Sequence, residues 1–189
     1  NFAFGGAYTQ GRHANGSSFR GRTASQSVTF FDRVPVHGKV TRANAEFEWV
    51  QDQFSVRGEY VQTNQSRDGL GTGGANLSGV VAKGYVVEAG YVFGGENQGN
   101  SLILPTTTFL EDGGLGALQL ALRYENLQID DRLNPNRSDA YTVGFNWQLS
   151  RHIRHMSNLV FERFQHPSRN RSFNGNDAVS YVGRMQLDF

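Results

Sequence analysis

From Asp177 to Phe189 the side chains alternate: Val179, Tyr181, Met185, Leu187 and Phe189, with Gly183 among them, fall on one side, and Ser180, Val182, Arg184, Gln186 and Asp188 on the other. A period of two is what an extended strand produces, because successive Cβ atoms leave opposite faces. The same period predicts seven further strands. Asn1 to Gln10 puts Phe2, Phe4 and Tyr8 on one face. Thr41 to Val50 opposes Ala43, Ala45, Phe47 and Trp49 to Arg42, Asn44, Glu46 and Glu48. Gln53 to Gln62 opposes Phe54, Val56, Gly58 and Tyr60 to Ser55, Arg57, Glu59 and Val61. Ser78 to Phe93, Leu115 to Gln128, Asp139 to Leu149 and Ile153 to Phe164 follow, each with an apolar side and a side carrying Glu88, Arg123, Glu125, Arg154 or Glu162.

The connections change what this pattern means. Gln51–Asp52 and Ser150–His152 are tight, whereas Gly11 to Gly38, Thr63 to Leu77 and Gln165 to Asn176 are long. Alternation of tight and long connections, with aromatics near strand ends (Trp49, Tyr60, Tyr85, Phe93, Tyr124, Trp147, Phe189), is the layout of a transmembrane barrel. A soluble β-domain shares the alternation but needs neither feature. The expectation is therefore an all-β, antiparallel, up-and-down transmembrane β-barrel with eight strands, residues 1–189 forming a single barrel region. One long connection, Gly94 to Gly114, breaks the rule, since strict alternation puts it at the tight-turn end. Taken alone it reads as a loose turn. Gly69, Gly71 and Gly74 have the spacing of a dinucleotide fingerprint, but no helix pattern follows, so a surface loop is expected there.

Composition narrows the class. A hydrophobic fraction of 38% and a mean hydropathy of -0.50 would describe a soluble protein, yet a barrel shows lipid only every second residue. The length suits one domain or a piece of a larger one, and no leader precedes Asn1, so either processing removed it or the chain begins partway through a longer protein. A net charge of only +1 gives no reason to expect nucleic acid as a partner. Lys39 and Lys83 are the only lysines among eighteen bases, so the basic chemistry is that of Arg. There is no Cys, and His13, His37, His152, His155 and His166 have no metal-ligand spacing within one element. Asp130 and Asp131 read as solvated turn acids. No metal, cofactor or catalytic group is expected. Two alternatives stay open: a small closed eight-stranded structural barrel, and an outer-membrane hydrolase using His155 and Ser157, which share a face of one strand but lack an acid or a partner on a second strand.

Several segments in order resemble the phosphate-selective porin O and P family. They are AEFEWVQDQFSVRGEYVQ from Ala45, GYVVEAGYVFGGE from Gly84, GALQLALRYENLQIDD from Gly116, YTVGFNWQLSRHIRHMSNLVF from Tyr141 and the terminal MQLDF. The resemblance implies a porin of the outer membrane of a Gram-negative-type bacterium, sixteen-stranded and trimeric, with the eight strands here as its carboxy-terminal half. It implies passage of phosphate or other small anionic solutes, and contact with membrane lipid and lipopolysaccharide. The resemblance also suggests that Gly94 to Gly114 folds back into the lumen and narrows the pore, with Glu96, Glu111 and Asp112 as its charges. Only two lysines stand where the family has several lumenal ones.

Within Gly11 to Lys39, Arg20 and Arg22 are two apart, so on extended backbone both guanidiniums leave the same side, and Asp32 is the one acid of the stretch. Arg stays charged and grips oxyanions through a planar fork. This segment is expected to fold into the pore and bind anions through Arg12, Arg20, Arg22, Arg33 and Lys39, its two close arginines resembling the family's arginine ladder. The bland alternative is an exposed basic loop that meets lipopolysaccharide phosphates. Arg42, Arg57, Arg123, Arg154 and Arg184 are the bases expected along the strands' polar faces.

Overall fold

The computed structural model describes residues 1–25, 29–93, 103, 105–109, 113–130, 136–165 and 175–188. Ten strands run in chain order: β1 (Phe2–His13), β2 (Ser18–Arg22), β3 (Thr29–Pro35), β4 (Gly38–Gln51), β5 (Phe54–Arg67), β6 (Leu77–Phe93), β7 (Ala117–Asp130), β8 (Asn136–Gln148), β9 (Ile153–Gln165) and β10 (Asp177–Leu187). Eight of them form one antiparallel sheet in the order β1-β4-β5-β6-β7-β8-β9-β10, a meander interrupted only by the β2–β3 ladder. The expected eight-stranded wall is present. No pairing joins β1 to β10, so the sheet has two free edges among the described residues.

The strands outrun their sequence limits at the long-loop end, where polar residues continue the ladder without the apolar alternation that marks a strand. β1 continues to His13, opposite Gly38, and β5 to Arg67. At the other end β4 and β5 turn through Asp52 and Gln53, one residue later than the pattern suggests. Asp52 takes φ 49°, a left-handed conformation that short polar side chains tolerate in a tight turn. The stretch expected to be irregular, Gly11 to Gly38, contains the β2–β3 hairpin. Its ladder shifts register on either side of Gly21, so it shows no clean period.

Register fixes the two faces. Phe4, Phe47, Gly58, Val87, Tyr124, Tyr141, Phe161 and Val179 stand in one cross-strand row, and the next row towards the tight turns, from Phe2 and Trp49 to Leu159 and Tyr181, is equally apolar. These side chains are exposed, Phe4 at 83% and Tyr181 at 68%, as a lipid-facing wall requires. Along this face the change from apolar to polar comes at an aromatic on strand after strand: Tyr8 then Gln10, Tyr60 then Gln62, Tyr85 then Lys83, Tyr124 then Asn126, Tyr141 then Asp139, Phe161 then Arg163. That is an interfacial girdle at the long-loop end. A second follows the tight-turn end, where Trp49 meets Phe54 edge-on at 5.6 Å and Tyr91 meets Phe93 at 5.0 Å. Phe109 belongs to this lower girdle. It meets Trp147 edge-on at 4.9 Å, its N–H donates to the Leu149 carbonyl, and the Trp147 indole donates to the Leu115 carbonyl. The described part of the connection after β6 therefore includes a contact with membrane-facing Trp147. Glu96, Glu111 and Asp112, the charges expected to narrow a pore, lie outside the described residues, as do Phe189, Asp131 and His166.

Candidate functional site

The other face carries the candidate site. In its middle, one register row reads Glu48, Arg57, Glu88, Arg123 across β4 to β7, alternating in sign. Arg57 reaches Glu48 at 2.7 Å, and Arg123 reaches Glu125 at 2.8 Å. Opposite charges facing across a ladder support the pairing and cancel each other's field. The next row towards the long-loop end is different. Glu46 stands directly opposite Glu59, and Glu125 and Glu162 lie further along the same row, with no base among them.

Above that row the face turns apolar. Val80 and Ala82 of β6, Ile129 of β7 and Phe164 of β9 are buried together with Phe31 of β3, and Phe19, Val34, Leu127 and Ala178 pack around them. This cluster is what seats β2–β3 across the polar face. Phe19 and Phe31 meet edge-on at 6.3 Å inside the hairpin. Polar ties hold it as well: Ala24 N–H donates to Glu162 Oε1 at 2.7 Å, and the Arg67 guanidinium donates to the Pro35 carbonyl at 3.1 Å. His37 Nδ1 lies 2.8 Å from the Asp68 carbonyl. With Phe19, Gly21 and Thr23 turned to the sheet, Arg20 and Arg22 are exposed on the opposite side, as is Arg33 of β3. Arg22 borders a hollow of about 460 Å³ that Glu59, Arg123, Glu125 and Glu162 also line.

The structure sorts the sequence candidates. Arg20, Arg22 and Arg33 come together on the hairpin. Arg42, Arg57, Arg123, Arg154 and Arg184 share the polar face, spread along its length; Arg154 donates to Gln186 Oε1 at 2.9 Å. Arg12 and Lys39 do not join them. They stand opposite each other in the ladder, in step with Tyr8, Phe4 and Phe47, and therefore on the membrane-facing side. Alternation carries unbroken to the end of β1, where the sequence suggests a loop free to turn inward. Sequence reasoning also missed the apolar seat. Its signal was an interruption of the polar set at strand ends by Val80, Ala82, Leu127, Ile129 and Phe164.

His155 and Ser157 are joined, Nε2 to Oγ at 2.9 Å, and Ser157 Oγ lies 2.9 Å from the Tyr181 hydroxyl on β10. A second-strand partner exists after all, but it is a phenol, and no carboxylate bonds His155 among the described residues. Nor does any group of three His, Asp or Glu there have the geometry to hold a metal ion.

The family profile of the phosphate-selective porins O and P matches residues 14–189. An uncharacterized protein of Caulobacter vibrioides (strain ATCC 19089 / CIP 103742 / CB 15) is 33% identical over 113 residues, covering 56% of this chain and 23% of that relative. The chain thus spans about a quarter of the length of the curated relative it matches. No solved structure matches it. With a membrane-patterned wall, a polar inner face and a profile match over nearly all its length, the chain belongs to the phosphate-selective porin O and P family of outer-membrane proteins of Gram-negative bacteria.

Proposed function

We propose that these residues form part of the wall and the constriction of a water-filled diffusion channel that prefers small anionic solutes, phosphate among them. The observation that carries the reading is the β2–β3 hairpin, seated by an apolar cluster on the polar face with Arg20, Arg22 and Arg33 exposed beside the passage. Three arginines within one hairpin offer several moderate sites, and conduction needs sites that release an ion as readily as they take it. The free edges of β1 and β10 call for further strands, because unpaired backbone groups are not tolerated against lipid. A wider barrel, sixteen-stranded and trimeric, meets that need. A small closed barrel would instead need β1 to pair with β10.

The acidic row sharpens the test. Removing hairpin charge leaves Glu46, Glu59 and Glu162 of that row facing the passage, with Glu125 tied to Arg123 at 2.8 Å. Single-channel reversal potentials in a salt gradient should show anion preference in the parent, and loss or inversion of it when Arg20 and Arg22 are both changed to Ala. Cation preference in the parent, or an unaltered preference in the double variant, would overturn the proposal.

A further inference from the structure

We propose that the outside of the barrel, at its long-loop end, carries a binding site for the phosphate groups of outer-leaflet glycolipid, built on the cross-strand pair Arg12 and Lys39. The two stand directly opposite each other on β1 and β4, exposed, on the face that presents Phe2, Phe4 and Tyr8 to the membrane. Like charges facing across a ladder repel, so a bare pair of this kind weakens its own strand pairing. A phosphate held between them removes the repulsion and takes a planar fork from Arg and a point charge from Lys. Neither base makes an ion pair among the described residues. By contrast Arg137 and Arg163, on the same outer face, are bonded to Asp139 at 2.7 Å and Asp177 at 2.9 Å.

The position decides which phosphate. Between the pair and the apolar wall lie Gln10 and Thr41, then Tyr8, whose hydroxyl lies 3.5 Å from Gln10 Oε1. Asn64 donates to Thr41 Oγ1 at 3.3 Å, extending the neutral polar layer. Passing outwards, the order is apolar wall, tyrosine, amide, then base. It is the order in which a lipid offers acyl chain, ester and sugar, then phosphate. Long barrel loops face the cell exterior, so the lipid at this end is the outer-leaflet glycolipid. Lys83, two strands further and also outward, stands between Gln62 and Gln128 and offers a third base to the same surface. Asp68 and Asp130 line the hollow beside Lys39 but do not reach ion-pair distance of it, and they bound the site on its loop side.

The test is native mass spectrometry of the purified porin after exchange into phosphatidylcholine vesicles containing bisphosphorylated lipid A, or the same lipid A with its phosphates removed. Retention of the phosphorylated form is expected, with the dephosphorylated form lost. Each basic contact at a membrane surface is worth roughly fivefold in binding, so the Arg12→Gln, Lys39→Gln double variant should retain about 25-fold less. Lys39→Arg should keep the lipid, and Arg151→Gln, at the tight-turn end, should leave retention unchanged. Excess inorganic phosphate should not displace the lipid, which separates a headgroup site from a free-phosphate site. Heat-modifiable gel mobility checks that each variant is folded, and Lys39→Arg reads the site if the double variant is not. Equal retention of dephosphorylated lipid A, unchanged retention in the folded double variant, displacement by inorganic phosphate, or loss in Lys39→Arg overturns the proposal.

Discussion

Gly58 is the one residue of β5 that places no side chain on the membrane face between Val56 and Tyr60, and its cross-strand partner fills the gap. A Cβ at Gly58 would run into the ring of Phe47, which lies over the glycine. An aromatic covering a cross-strand glycine protects the backbone and fixes register in one contact. Gly58→Val should therefore destabilise the wall by about 1–3 kcal/mol despite the gain in strand propensity, because the ring must swing aside. Urea titration of the porin in vesicles would measure this. Combining it with Phe47→Ala should recover part of the loss, a coupling of roughly 0.5–3 kcal/mol expected only if the two side chains compete for one space. Strict additivity would remove that account. The contact was illegible in sequence: the alternation names Phe47 and Gly58 as outward, but only the register shows that they meet. Asp139 is similar. It reads as the first residue of a strand, yet it is buried, accepting from the Tyr124 hydroxyl at 2.8 Å, Asn126 at 2.7 Å and Arg137. The register of β7 against β8 is needed to assemble that set.

At the scale of the element, the period of two carried most of what the sequence could say, because lipid-facing positions tolerate few polar side chains and the alternation is therefore sharp. It was weakest where both faces meet water, at the long-loop ends, and it failed for β2–β3, whose apolar residues seat on protein while its arginines do not. The register adds depth, which sequence cannot supply. Leu159 stands next to Val143 and Leu122 inside the apolar wall, whereas Met185 shares a row with Trp147 of the lower girdle. The cost of a lipid-facing Arg falls from about 2–4 kcal/mol at the membrane midplane to about 0–1 kcal/mol near an interface. Leu159→Arg should show the first magnitude and Met185→Arg the second in a bilayer folding assay. Gln186→Arg, on the polar face, deprives Arg154 of an acceptor and should cost no more than about 1 kcal/mol. A Leu159→Arg variant as stable as Gln186→Arg would mean that β9 does not face lipid.

For the whole molecule, the charge pattern divides the channel between two parts of the chain. The wall supplies a self-cancelling row and, one step towards the loops, an acidic one; the hairpin supplies the arginines. In the proposed channel, preference for anions rests on a segment that the sheet does not need for its own hydrogen bonds. His13 stands opposite Gly38, so β1 and β4 are already in register where the hairpin leaves and returns. Replacing residues 14–37 by a two-residue Asn-Gly turn would rejoin them as an ordinary β-hairpin. The variant loses the contacts of Phe31 with Val80, Ala82, Ile129 and Phe164, leaving an apolar strip facing the lumen, but every ladder of the eight-stranded sheet remains. In planar bilayers it should conduct more than the parent, since the space across the polar face is no longer occupied, and its reversal potential should move towards that of a cation-preferring channel, since Glu46, Glu59 and Glu162 no longer face the hairpin arginines. The two shifts have separate causes, volume and charge, so they need not agree. Unchanged conductance would place the hairpin away from the ion path; larger conductance with undiminished anion preference would move selectivity to the wall arginines Arg42, Arg154 and Arg184.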